Sequence, residues 1–368
     1  MSGVAQRLDG MRVCIVAGSG GVGKTTASAA LALGLAASGQ RVAVVTIDPA
    51  KRLAQSLGLQ ELGNDPRRVD PALLESHGVE MRGELWAMML DPKATFDDLI
   101  ARLSPDARTR EDVLGNRIYQ QLSSAVAGSQ EFTAVAKLYD LHNEGGFDVL
   151  VLDTPPSRNA LDFLDAPDRL TSFFEGRALK LLLVPTGIAA RVMSRGTAVV
   201  FSILKRLTGV DLMDDIAVFF GALSGLMDGF SERAAGVKAL LADPATTFLI
   251  VTSPEREPVA EAIYFRGKLL EAGMAFGGLI VNRVNVAGDR DEDPQALAAE
   301  LCAAGLDGAL SEKVVAGAAD LRRLAARDAE QIERLKSELD EPDPIVVARL
   351  DGEVQDIDGL LALRAALM

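Results

Sequence analysis

Apolar and polar positions alternate along this chain in short blocks, and the places where each apolar block stops are informative. Residues 12–17 form an apolar run of buried-strand length. A glycine-rich loop follows, and then an alanine-rich segment at 24–38 that is stopped by Gly39, in the place of a helix C-cap. Residues 41–47 make the next apolar run, which ends at Asp48. Two strands joined by a helix predict a parallel βαβ unit. Further runs at 85–90, 147–152, 247–252, 276–281 and 345–350 stop at Asp91, Asp153, Ser253, Asn282 and Asp351. Apolar strands that each end on a polar residue predict an α/β fold with a doubly wound, mostly parallel sheet, whose ligands gather at the carboxyl ends of the strands.

Two stretches, at about 93–144 and 166–243, are helical in pattern and poor in strands. They read as helical insertions within a single domain spanning 1–368. A charged helix is predicted over 318–339, where Arg322, Arg323 and Arg327 are balanced by Asp320, Asp328 and Glu330, as on a solvated, ion-paired face. The terminal segment 360–368 is apolar with one arginine. It lacks the basic polar face of a membrane-surface helix and is expected to pack on the sheet.

Composition narrows the class. The chain has 368 residues, 48% of them apolar and 24% charged, which is ordinary globular usage. Its formal charge is −14, which argues against a general nucleic-acid binder. The two cysteines, Cys14 and Cys302, exclude a disulfide framework. Residues 1–10 carry no apolar leader core, and the apolar stretch at 216–227 is twelve residues long, against about 20 for a membrane span. The expectation is a soluble, cytoplasmic protein without an integral membrane segment.

The loop after the first strand, Gly18-Ser19-Gly20-Gly21-Val22-Gly23-Lys24-Thr25, fits GxxxxGK[ST]. Its glycines let backbone N–H groups turn inward around phosphate oxygens, and the following helix N-terminus adds a favourable dipole. Lys24 would reach the β- and γ-phosphates, and the Thr25 hydroxyl would ligate Mg2+. The same residues also fit the dinucleotide fingerprint GxGxxG, with Asp48 in the position of its ribose-binding acid. Lys24-Thr25 decides against that reading, because a dinucleotide site needs neither group. The nucleotide-binding candidates are Gly18 to Thr25 and Thr26, with Asn282 and Arg283 further along. Asp153, followed by Thr154-Pro155-Pro156, stands at a strand end, where a carboxylate can hold Mg2+, usually through water. The segment after it would respond to the γ-phosphate. Asp48, followed by Pro49, is a candidate to orient the attacking water, or else a loop cap.

These motifs resemble those of the arsenite-pump ATPases and the tail-anchored-protein targeting ATPases, within the deviant-Walker-A class that also holds septum-site and plasmid-partition ATPases. The family's GKGGVGKT corresponds to Gly18–Thr25, its switch I to Asp48-Pro49-Ala50, and its switch II to Asp153-Thr154-Pro155-Pro156-Ser157-Arg158. Its V-N-Q corresponds to Val281-Asn282-Arg283, and its closing E-V-x-G-x-x-x-L to the segment from Glu353 to Leu360, with Asp356 at the glycine position. The resemblance implies an ATP hydrolase using ATP and Mg2+. Asp48 would activate water, Lys24 would hold the phosphates, Thr25 and Asp153 would serve the metal, and Asn282 would contact adenine. It also implies a dimer switched by nucleotide.

The departures carry information too. The family's signature lysine is Ser19 here. In the family that lysine reaches a partner subunit's phosphates, which an uncharged, short serine cannot do. The expected assembly is a homodimer, or a heteromer with a paralogous ATPase that supplies the lysine. Two cysteines are too few for a three-thiolate arsenite site, and Cys14, inside the first strand, reads as a small buried hydrophobe. Phe173, Phe174, Phe201, Phe219, Phe220 and Phe230, with Met193, Met213 and Met227 among them, crowd the second helical stretch. They suit either an apolar groove for a client such as a tail-anchored segment, or the core of a helical layer. Three uses of the cycle stand open: an ATP-gated carrier, a weakly hydrolysing regulatory subunit, and a partition-type positioning ATPase.

Overall fold

The computed structural model describes residues 3–48, 51–117, 119–120, 129–154, 219, 221, 225–288, 293–350, 352, 354 and 356–368. The strands are β1 Val13–Ala17, β2 Arg41–Thr46, β3 Arg67–Arg68, β4 Glu84–Met89, β5 Val149–Asp153, β6 Thr246–Thr252, β7 Phe276–Val284 and β8 Ile345–Ala348. They form one eight-stranded sheet in the order β3-β4-β2-β5-β1-β6-β7-β8. All pairs are parallel except β3 with β4. The predicted α/β class and mostly parallel sheet are therefore observed. β3 is a departure: two arginines are too short and too polar a run for apolar periodicity to reveal.

The helices, numbered among the described residues, are α1 Val4–Arg7, α2 Lys24–Ala37, α3 Arg52–Ser56, α4 Pro71–Ser76, α5 Pro92–Leu103, α6 Ala107–Leu114, α7 Ser129–Glu144, α8 Met227–Leu241, α9 Arg256–Glu271, α10 Pro294–Ala303, α11 Gly308–Leu339 and α12 Ile357–Leu367. None is long and apolar enough to cross a membrane. Several open on an aspartate that caps free N–H groups: Asp91 accepts from Ala94, Asp307 from Leu310 and Asp356 from Gly359.

β1 divides the core by side-chain parity. Val13, Ile15 and Ala17 face one apolar cluster, with α7, α8 and α9 residues, while Cys14 and Val16 face the other, with α2 and α12 residues. The alanines of α2 let it lie close to the sheet, with Ala29, Ala30, Ala32 and Ala36 fully buried. Gly39 follows at φ +115°, which reverses the chain into β2. α12 packs on α2 through Leu360, Leu363 and Leu367, as expected of the terminal segment.

Three expectations need correction or restriction. The long helix begins at Gly308, ten residues before the predicted start, because Asp307 caps it. Asp328 is not on a solvated face. It is fully buried, and Oδ2 accepts from the backbone N–H of Asn285 at 3.0 Å and from its Nδ2 at 2.7 Å. Of the Phe/Met-rich stretch, Phe219 and Phe230 are buried in the core, where Phe96 stacks on both Tyr119 and Phe230. Phe173, Phe174, Phe201, Phe220, Met193 and Met213 lie outside the described residues.

Candidate functional site

The site sits where the sheet order reverses around β1, at the carboxyl ends of β1, β2, β5 and β7. The loop from Gly18 to Gly23 connects β1 to α2 and makes close approaches that fix its glycines. A side chain at Gly18 would lie 2.0 Å from the Val251 carbonyl oxygen, and one at Gly23 would lie 2.4 Å from Asn282 Nδ2. Both glycines also hold positive φ, +148° and +96°. Gly20 and Gly21 are exposed at the turn, and Val22 is buried beneath it.

Lys24 opens α2 almost fully buried, and its Nζ donates to the carbonyls of Gly18 at 2.8 Å and Ser19 at 2.9 Å. Burial lowers its pKa, while the negative charges of Asp153, Asp48 and Glu261 oppose that shift. Thr25 Oγ1 donates to Asp153 Oδ2 at 2.7 Å, and Thr46 Oγ1 donates to the same oxygen at 2.8 Å. Asp153 is 1% exposed, and its other oxygen, Oδ1, is buried without a hydrogen-bond partner. Burial pushes the carboxyl up to about 6, against the pull of Thr25, Thr46 and Lys24. Thr154 anchors the start of the next segment, donating from Oγ1 to the Val16 carbonyl at 2.9 Å. Asp48 is half-buried at the end of β2, with its N–H on Thr46 Oγ1 at 3.2 Å.

A cavity of about 1080 Å3 opens over these groups. Gly21, Gly23, Lys24, Thr25, Thr26, Asp48, Arg52 and Thr154 line it, together with Asn282, Arg283, Arg349, Leu350 and Val354. Its chemistry suits a polyanion, met by a lysine, an arginine, hydroxyls and loop amides. The orphaned Asp153 oxygen beside the Thr25 hydroxyl supplies the hard oxygen donors that Mg2+ takes.

The structure thus brings Lys24, Thr25, Thr26, Asp48, Asp153, Thr154, Asn282 and Arg283 to one place. Pro49, Pro155 and Pro156 lie outside the described residues. Ser19 is buried, and its hydroxyl donates to Glu261 Oε2 on α9. Sequence reasoning missed Glu261, which is 242 residues away and carries no motif. It also missed Thr46, whose only local signal was its place two residues before Asp48. Cys14 is buried, with its thiol pushed up to about 12 by desolvation, as expected of a structural cysteine. Cys302 is exposed.

A strand, a glycine-rich loop and a helix, with an acid at the end of the neighbouring strand, define a phosphate-loop NTPase fold. The chain belongs to the anion-transporting ATPase family, whose model matches residues 11–301. It is 28% identical over 289 residues to a putative arsenical pump-driving ATPase of Aquifex aeolicus, covering 74% of this chain and 63% of that protein. An uncharacterised protein of Streptomyces coelicolor is 30% identical over 245 residues, covering 66% of this chain and 55% of its own length. The ATPase get3 of Aspergillus terreus is 33% identical over 160 residues, covering 43% of each chain. The chain spans less than two thirds of each of these relatives.

Proposed function

We propose that this chain is a single ATPase unit with helical insertions, which hydrolyses ATP with Mg2+ and whose nucleotide state controls binding of a protein partner or apolar client. The carrying observation is Asp153: one oxygen is held by the hydroxyls of Thr25 and Thr46, and the other is buried and unsatisfied, on a carboxyl that feels the charge of Lys24. A buried carboxylate left half-satisfied at a phosphate loop fits a metal site. In this reading Lys24 and the loop amides from Gly18 to Gly23 hold the phosphates, and Thr26 and Arg52 add contacts along the same wall. Thr25 and Asp153 hold Mg2+, which neutralises charge on the phosphate oxygens. Asp48 orients the attacking water, and Asp48-Pro49 and Asp153 to Pro156 act as the switches. ATPase activity and size-exclusion mass, with and without ATP, test this for wild type and Lys24→Ala. Loss of turnover by about 100-fold or more is expected, as when a transition-state donor is removed. Intact binding and turnover in the variant would overturn the site.

A second reading has its own support. Ser19, in place of the family's lysine, is tied to Glu261 and cannot reach another subunit's phosphates. This favours a weakly hydrolysing subunit in a heteromer with a paralogous ATPase. The charge of −14 disfavours a partition-type role on nucleic acid.

A further inference from the structure

Beside Lys24 the cavity holds a second cation, Arg52, the first residue of α3. α3 is amphipathic. Leu53, Ala54 and Leu57 are buried in the same apolar cluster as the alanines of α2 and seat the one helix on the other. Arg52 and Gln55 are exposed, three residues apart on one face, and line the cavity with Asp48. Because Lys24 is the first residue of α2, Arg52 is carried on the same scaffold as the phosphate loop. It is near enough to Lys24 for its positive charge to oppose protonation of that amine.

Two cations sharing one cavity repel each other until an anion lies between them. Lys51, next to Arg52 in the chain, is engaged by Glu61, with Nζ 3.5 Å from Oε1. Arg52 has no ion-pair partner among the described residues, although the chain carries 52 acidic side chains against 38 Lys and Arg. Ser19 stands where the resembled family has its lysine, and its hydroxyl is tied to Glu261. The loop is therefore one cation short, while an unpaired arginine faces the same cavity beside Asp48. We propose that Arg52 is a catalytic residue acting in cis, its guanidinium meeting the γ-phosphate oxygens during hydrolysis and supplying from within the chain the charge that the resembled family brings from a partner subunit. This rests on the phosphate-loop reading above. In the reaction a water oxygen bonds to the γ-phosphorus, and the bond to the β–γ bridging oxygen breaks with its electron pair leaving on ADP. One water proton stays on the inorganic phosphate and the other passes to solvent. Arg52 exchanges no proton, since a guanidinium is a donor only, and its planar fork matches the phosphate oxygens.

Arg52→Ala and Arg52→Lys in the full chain test this, by steady-state ATP hydrolysis and by equilibrium binding of Mg-ADP with and without aluminium fluoride, a stand-in for the phosphoryl group in transfer. Arg52→Ala is expected to lower kcat about 100-fold or more, and to weaken the aluminium fluoride complex by a similar factor, while Mg-ADP affinity changes less than about threefold. Arg52→Lys keeps the charge without the fork and should recover only part of the loss. Wild-type turnover per chain should not depend on protein concentration, and mixing Arg52→Ala with Lys24→Ala should restore nothing, as a group acting in cis requires. Position 52 is exposed, and unchanged far-ultraviolet circular dichroism and Tm check the fold. A kcat within about threefold of wild type, equal weakening of Mg-ADP and the aluminium fluoride complex, or recovery on mixing would overturn the proposal and leave the nucleotide site standing. Wild type that binds Mg-ADP but neither turns over ATP nor captures aluminium fluoride would overturn it too. Absence of any Mg-ADP or Mg-ATP binding by wild type would instead sink the phosphate-loop reading itself.

Discussion

Burial sets the chemistry of Asp153. Its carboxyl pKa rises from 3.8 to about 6 because desolvation outweighs the two hydroxyl donors and Lys24. The native protein therefore holds that proton more tightly than the unfolded chain does. As pH rises from about 4 to about 6 the native state loses stability from this group, and the loss is complete above the folded pKa. A shift of about two units corresponds to ~3 kcal/mol. Urea unfolding with a chelator present, comparing wild type with Asp153→Asn, should give a difference that grows toward ~3 kcal/mol in favour of the variant by about pH 7. A difference that stays flat across that window would contradict the desolvation. The same variant should lose the rise in Tm that Mg-ATP gives wild type. Cysteine offers a simpler check. Cys14 is buried with its thiol pushed up to about 12, and Cys302 is exposed. Because the thiolate is the nucleophile, iodoacetamide at about pH 8 should label the native chain once, at Cys302. Labelling of Cys14 before unfolding would show that β1 is not packed as described.

Elements differ in how far their residues announce them. β1, β2 and β5 are made mainly of Val, Ile, Leu and Ala and, apart from the exposed Arg41, are buried throughout, so their place in a parallel sheet was legible. The loop was legible because its motif is local, lying wholly between β1 and α2. α11 was legible only from its charged second half. Its first turns are marked by the cap at Asp307, which periodicity does not register, and they expose Leu310 and Val314. Asp328 read as a solvated charge because nothing nearby in the chain shows that Asn285, 43 residues earlier, donates to it. That contact joins α11 to the chain just beyond β7. Asp328→Ala should leave the Asn285 donors unpaired and destabilise the protein by about 2–4 kcal/mol, read as a lower urea midpoint. Asp328→Asn, which keeps an acceptor, should lose less. Equal losses would mean that the carboxylate acts by volume alone.

At the scale of the whole molecule, the parts of the site that escaped the sequence are those assembled by topology. Glu261 reaches Ser19 only because α9 follows β6, the strand beside β1, and Arg349 joins Arg283 only because β8 lies beside β7. The Ser19–Glu261 contact bears on assembly. It places a carboxylate at the loop position where the resembled family carries a lysine, in a chain whose net charge is −14. Like charges facing each other across a two-fold interface oppose self-association, most at low salt. Wild type with Mg-ATP should therefore stay monomeric by light scattering and turn over slowly. Ser19→Lys in a Glu261→Gln background restores a lysine and removes the carboxylate that would capture it. It should shift the ATP-bound chain toward a dimer and raise turnover about tenfold or more, since a charged group brought to the phosphates in trans acts on the transition state. Glu261→Gln alone removes the repulsion without supplying the lysine, so it should promote association with little gain in turnover. If wild type by itself forms an ATP-dependent dimer with turnover equal to the double variant, Ser19 costs this protein nothing and the heteromer reading fails.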